Sequence, residues 1–380
     1  MSTPIRVTIV TESFLPQVNG VTNSVLRILE HLKTQGHQAL VIAPDSADGP
    51  KEFAGFRIKT VPSLEMKGLI PLAFPQRNLE QLIDGFAPDV IHLASPIFLG
   101  KYVTKIAQKL EIPTLSVYQT DIAGFARHYG LTIAHNSLKK WVAKIHSASD
   151  RTLAPSLWSC NDLIQSGVKN VHLWQRGVDS IRFSPNKRDI DLRCEILGER
   201  PDRKIVGYVG RLANEKRVDD LEVLDARDDI QLVIVGEGPA RARLERILPN
   251  AFFSGYQSGD DLARFYASLD YFVHTGKHET FCQSIQEALA SGVPVVAPNS
   301  GGPLDLVKHG WTGYLIDTAD SVALNRAINM LIHMQDPVIL QQRTRESVIE
   351  RNWKLINEQL INHYRALMPQ ESQLLRENVA

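Results

Sequence analysis

Short apolar runs alternate with amphipathic stretches through this sequence, and the alternation starts twice. In the first half, Arg6-Val7-Thr8-Ile9-Val10 reads as a buried strand. A loop through Asn19-Gly20 follows, then a helix from about Val21 to Gln35 that stops at Gly36. Residues 39–43, 89–93, 113–118 and 152–155 supply further strands. After Pro185 the pattern restarts with Lys204-Ile205-Val206-Gly207-Tyr208-Val209-Gly210, and strands recur at 231–236, 251–253, 271–274 and 293–297. Apolar strands too continuous to face water, separated by helices, imply α/β architecture with parallel sheets covered on both faces.

A chain of 380 residues is long for one core, so two domains are expected. The boundary falls near residues 178–186, giving domains at 1–182 and 183–355. Trp353 to Met368 reads as a long amphipathic helix. Two doubly wound sheets in tandem should face one another across a cleft, with the loops at the carboxyl ends of their strands converging on it.

Composition removes several function classes. Lys+Arg and Asp+Glu are both 42, so the balanced charge argues against bulk nucleic-acid binding. Three widely spaced cysteines, Cys160, Cys194 and Cys282, form no CxxC and fit a reducing, cytoplasmic setting. The start runs directly into a strand without a signal-peptide pattern, and no apolar run is long enough to span a bilayer. Any membrane contact is therefore expected to be peripheral.

The chemistry concentrates at predicted strand ends of the second half. Glu279 and Glu287 stand eight positions apart in Glu279-Thr280-Phe281-Cys282-Gln283-Ser284-Ile285-Gln286-Glu287, with Glu279 expected at a helix entrance and Glu287 two turns in. Such acids can hydrogen-bond two parts of one polar ligand, and the amides of Phe281, Cys282 and Gln283 suit a phosphate. The bland alternative is a helix cap and a solvated surface charge. Gly210-Arg211-Leu212-Ala213-Asn214-Glu215-Lys216 follows a strand, and its two cations can clamp a diphosphate, Arg211 as a fork and Lys216 as a point charge. Gly236-Glu237-Gly238 and Gly255-Tyr256-Gln257 could wall a nucleobase or be ordinary turns.

In the first half, Asn19 and Gly20 could bring amides to an anion or form a plain turn. Gln119 and Asp121, with Arg127 and His128 beyond, are acceptor-side candidates, although an Asp capping the next helix competes. Asp189-Ile190-Asp191 resembles a metal-binding DxD but reads as helix-start charge. His274 and His278 have metal-ligand spacing, yet Thr275-Gly276 between them argues against a helix. No metal site is expected. The absence of G-x-G-x-x-G disfavours a dinucleotide-dependent oxidoreductase.

On Asn19-Gly20-Val21, Gly210-Arg211-Leu212-x-x-Glu215-Lys216 and the Glu279/Glu287 pair, the chain resembles the retaining GT-B glycosyltransferases of family 4 over nearly its full length. Thr11-Glu12-Ser13-Phe14-Leu15-Pro16, Asn19-Gly20-Val21-Thr22-Asn23-Ser24-Val25 and Tyr118-Gln119-Thr120-Asp121 look like the GDP-mannose-dependent α-mannosyltransferases of glycolipid and lipoglycan assembly. The resemblance implies that Arg211 and Lys216 bind the donor diphosphate, Glu279 sugar hydroxyls and Glu287 the ribose. Amides of Phe281 to Gln283, and of Gly20 on closure, would meet phosphate or sugar, and Asp121 could serve in catalysis. A helix at about 356–375 would return to the first domain. It further implies a (glyco)lipid acceptor, work at the cytoplasmic membrane surface and no metal cofactor. UDP-sugar-dependent glycosyl- or sulfoquinovosyl-diacylglycerol synthesis is the alternative. A sugar-nucleotide epimerase and a silent nucleotide-sugar-binding protein rank lower. Cys282 stands where glycine is common in the family, and Gln119 where many relatives carry His.

Overall fold

A computed structural model describes residues 3–64, 72–119, 132–334 and 336–368. The chain divides into two compact units, Met1–Gln175 with Lys354–Ala380, and Arg176–Trp353.

The strands of the first unit are β1 (Arg6–Thr11), β2 (Gln38–Pro44), β3 (Glu52–Phe53), β4 (Phe56–Val61), β5 (Ser63–Leu64), β6 (Leu72–Ala73), β7 (Val90–Ala94), β8 (Thr114–Val117), β9 (Arg151–Ala154) and β10 (Val171–Leu173). Eight of them form one sheet in the order β10-β9-β8-β7-β1-β2-β4-β3, and β5 pairs with β6. All its ladders are parallel except the β3–β4 hairpin. Val7, Ile9, Val41, Ile42, Val90 and Ile91 are fully buried, which is what a strand covered on both faces requires.

Chain order reverses between neighbours β1 and β7, the usual place for a ligand crevice in such sheets. There the buried Glu12, just after β1, accepts backbone hydrogen bonds from Ile97 (2.8 Å) and Gly100 (3.0 Å) at the start of helix Phe98–Lys109. Its carboxylate satisfies amides that the helix itself leaves unpaired.

The last described helix, Trp353–Arg365, docks on this unit through side chains far away in sequence. Trp174 Nε1 donates to Ile356 O (2.8 Å), Asn357 Nδ2 donates to Arg27 O (3.0 Å), and His92 Nδ1 meets the Tyr364 hydroxyl at 2.7 Å.

The second unit holds β11 (Lys204–Val209), β12 (Ile230–Val235), β13 (Phe252–Gly255), β14 (Tyr271–Val273), β15 (Val295–Pro298) and β16 (Gly313–Ile316). They form an all-parallel sheet ordered β13-β12-β11-β14-β15-β16. Two cores lie against it, one around Ile205, Phe272 and Ile285, the other around Val206, Ile234 and Ile328.

The division falls at 175/176 rather than 182/183 because residues 176–183 are held by the second unit. Val178 N donates to Arg351 O (2.8 Å), and Gln283 and Gln286 donate to the carbonyls of Gly177 (3.1 Å) and Arg176 (3.0 Å). The Phe183 ring packs edge-on against Tyr266 at 5.6 Å. Strands β3 to β6, β10 and β16 go beyond the sequence reading. β4 interleaves charged residues with Phe56, Ile58 and Val61, and β10 is a short, partly exposed edge, so neither carries a continuous apolar run.

Several first-unit histidines are neutral because of burial. It holds His92 down to about 3 and His146 to about 4, and lowers His31 and His37. An unfolded chain titrates these rings near 6.5, so below that pH it takes up protons that the fold refuses. Their contribution to stability is complete above about 6.5 and declines as pH falls toward 4. Thermal melts between pH 7.5 and about 5 should show a falling midpoint. A midpoint that stays level across that interval would contradict the assignment of these rings as buried and neutral.

Candidate active site

In the second sheet β12, β11, β14 and β15 are successive neighbours, so the loops leaving their carboxyl ends lie side by side. Chain order reverses between β11 and β14. The loops after β11 and β12 are in backbone contact. Leu212 N donates to Glu237 O (2.9 Å), and Ala240 N to Leu212 O (2.9 Å). Gly236 has φ +139°, and a Cβ there would lie 2.0 Å from Gly210 O. Glycine is required because the two chains leave no room for a side chain.

Across the reversal, Lys216 ends a short 3-10 turn, Asn214–Lys216, and its ammonium meets Glu279 Oε1 at 2.5 Å. His274, immediately after β14, approaches the same oxygen through Nε2 at 3.1 Å. Burial would raise the pKa of Glu279, but Lys216 and His274 outweigh it and hold the carboxyl well below the usual range. Burial opposes charge on His274, but Cys282 and Glu279 raise it to about 9. The Arg176 guanidinium is buried too; desolvation lowers it to about 10 against the attraction of Glu279. The carboxylate therefore lies among three cationic groups and can anchor a polar ligand while they favour an anion.

The loop carrying Glu279 is braced from behind by the turn after β15. Gly302 N donates to Glu279 O (2.7 Å), and a Cβ on Gly302 would lie 2.3 Å from Phe281 Cα. Thr275 Oγ1 donates to Lys216 O (2.6 Å), tying the β14 loop to the β11 loop.

The helix itself runs Gln283–Ala290, later than expected, so Glu279 sits on the loop and Glu287 one turn in. Cys282 is the N-cap residue, at φ +81°, and its side chain makes no capping hydrogen bond. Burial pushes Glu287 up to about 7, against the lowering pull of Tyr266, Gln283 and Arg182. The two acids thus differ in state: Glu279 is firmly ionised, whereas Glu287 exchanges its proton near neutrality.

The remaining sequence candidates are distributed as follows. Arg211 is exposed, with Nη1 3.9 Å from Glu215 Oε1. Gly236 and Gly238 line the β12 loop, Tyr256 projects into solvent, and Gln257 donates to Ser254 O (3.0 Å). Asn19 is an N-cap whose Oδ1 accepts from Val21 N (2.9 Å) and Thr22 N (3.0 Å), so its side chain is committed to the helix that begins at Gly20. Gln119 is buried just beyond β8. Asp121, Arg127 and His128 lie outside the described residues. Asp189 caps helix Ile190–Leu197 and pairs with Arg264 at 2.6 Å. His278 is exposed while His274 is buried, so the His274/His278 spacing does not describe the cluster that forms. Sequence reasoning missed His274 as a partner of Glu279, although its place at a strand's carboxyl end was a usable signal. It missed Arg176 because nothing local marks that residue as buried.

The family model for glycosyl transferases group 1 matches residues 190–351, and that for Glycosyltransferase Family 4 matches residues 18–182. The chain is 47% identical to a GDP-mannose-dependent alpha-mannosyltransferase of Mycolicibacterium smegmatis, over 97% of this chain and 99% of the relative. It is 46% identical to the Mycobacterium tuberculosis protein of the same description, over 96% and 97% of the two chains. Sulfoquinovosyl transferase SQD2 of Arabidopsis thaliana is 29% identical, over 95% of this chain and 74% of that one. Among solved structures, Anabaena Alr3699/HepE in complex with UDP and glucose superposes with a TM-score of 0.75 at 19% identity, covering 96% of this chain and all of that one. With its paired Rossmann-like sheets and the Lys216–Glu279 site at the second sheet's reversal, the chain belongs to the GT-B glycosyltransferases of family 4.

Proposed function

We propose that this enzyme transfers mannose from GDP-mannose, with retention, to a hydroxyl of a lipid-linked or glycolipid acceptor. The observation that carries the reading is the ion pair of Lys216 with Glu279 at the sheet's reversal, with Arg211 on the same loop as Lys216. The donor is inferred from relatives of 45–47% identity described as GDP-mannose-dependent.

Negative charge grows on the diphosphate as the glycosidic bond breaks. Arg211 and Lys216 would meet that charge, helped by the amides of Phe281 to Gln283 where the loop enters the helix. Glu279, kept ionised, would accept hydrogen bonds from sugar hydroxyls and hold the ring in place. Glu287 would accept from the ribose when deprotonated. The leaving phosphate is the simplest acceptor for the incoming hydroxyl's proton. In this scheme the cations do the work that a divalent metal does elsewhere, and catalysis needs none.

No helix among the described residues is long and apolar enough to cross a membrane. A peripheral mode is supported by the first unit. Phe98 and Trp141 pack at 5.6 Å between ring centres, with exposed Lys101, Lys105, Lys140 and Lys144 on the same two helices. Apolar rings among lysines suit an anionic lipid surface on the cytoplasmic side.

Arg211→Ala and Lys216→Ala should each lower transfer about a hundredfold or more, the scale of losing one preorganised donor to the transition state. Circular dichroism should confirm that both variants fold. Turnover within a few fold of the parent in a folded variant would take that residue out of the mechanism. Chelation should leave the rate essentially unchanged; activity lost to EDTA and restored by Mg²⁺ or Mn²⁺ would reinstate a required metal. By calorimetry GDP should bind more tightly than UDP. The opposite ranking, with transfer only from a UDP-sugar, would favour the diacylglycerol-glycosylating reading suggested by the likeness to SQD2.

A further inference from the structure

Three side chains around the Glu279 loop make a combination that sugar-nucleotide binding does not call for. His274, Glu279 and Cys282 each offer a ligand atom, and these atoms lie within 4.8 Å of one another. His274 is 3% exposed and Cys282 7%. The ring Nδ1 of His274 has no partner at hydrogen-bond geometry among the described residues, so this buried imidazole has an unused ligating nitrogen. Cys282 is held at φ +81°, where glycine is free and a side chain is strained, and it directs a sulfur into the cluster.

We propose that His274, Glu279 and Cys282 form a binding site for a thiophilic divalent cation, with Zn²⁺ the best match. A thiolate, an imidazole and a carboxylate make a three-ligand zinc set, and the thiolate sulfur selects against Mg²⁺ and Ca²⁺. Zinc's bonds to such ligands are roughly 2.0–2.3 Å, so the three atoms need only close in by about an ångström. Metal binding needs a neutral His274 imidazole and a Cys282 thiolate, so any proton on either group goes to solvent, and the cation competes with Lys216 for the Glu279 carboxylate. Zinc is an inhibitor in this arrangement: it occupies the group meant to hold the donor sugar. That consequence, unlike the site itself, rests on the proposed role of Glu279.

The test uses Co²⁺ as a spectroscopic stand-in, titrated into the metal-stripped full-length protein. Wild type should bind one equivalent and develop a thiolate-to-cobalt charge-transfer band that Zn²⁺ bleaches. Cys282→Gly, which relieves the backbone, should lose the band, and His274→Gln should weaken binding roughly tenfold or more. Cys160→Ser and Cys194→Ser should keep the band. A band that survives in Cys282→Gly, or a wild type that shows none at millimolar Co²⁺, overturns the site. Transfer assays with added Zn²⁺ then separate the two claims. Inhibition in wild type that is absent in Cys282→Gly supports both, whereas cobalt binding at Cys282 without inhibition keeps the site and overturns the role of Glu279.

Discussion

Glu279 lies where burial alone would protonate it, and it stays ionised because Lys216 and His274 share one of its oxygens. The rest of the site follows from that contact. It ties the loop after β11 to the loop after β14 across the point where chain order reverses. Removing one partner leaves the other charge partly desolvated without its counter-ion, which is destabilising. Both ends are braced: Thr275 bonds to the Lys216 carbonyl, and Gly302 bonds to the Glu279 carbonyl. A polar ligand that enters exchanges partners with a preorganised ion pair and need not create a charge in a buried place.

Each unit uses a carboxylate at its reversal, and the contrast shows how surroundings decide a role. In the first unit Glu12 binds backbone amides at a helix start, and burial raises its pKa against those bonds. In the second, cations surround Glu279 and hold it ionised. Glu287 is desolvated with a phenol and an amide beside it, and burial outweighs them to leave it at about 7. Burial raises Glu12 and Glu287, whereas neighbouring cations lower Glu279, so what packs against each glutamate sets the direction.

The α/β class and the two-fold restart were legible in the sequence because a strand buried on both faces runs almost continuously apolar, as residues 232–235 of the strand Ile230–Val235 do. Helix ends were less so. The expected start near Glu279 moved to Gln283 because the 279–282 segment is pinned to Gly301 and Gly302, which come from another loop. Asn19 turned out to be a helix cap, a local role that its sequence allowed without requiring.

The sequence by itself determined the order of strands and helices, the glycines where backbones touch, and the residue types available at each strand end, since these depend on local propensity and side-chain chemistry. Only the tertiary structure decided who meets whom. Lys216 and Glu279 are 63 positions apart, and their contact exists because β14 lies beside β11. The same pairing of strands buries His274 against Glu279, which with Cys282 raises its proton affinity. Proton affinity depends on desolvation and on neighbouring charge, and both are properties of packing that no stretch of sequence contains.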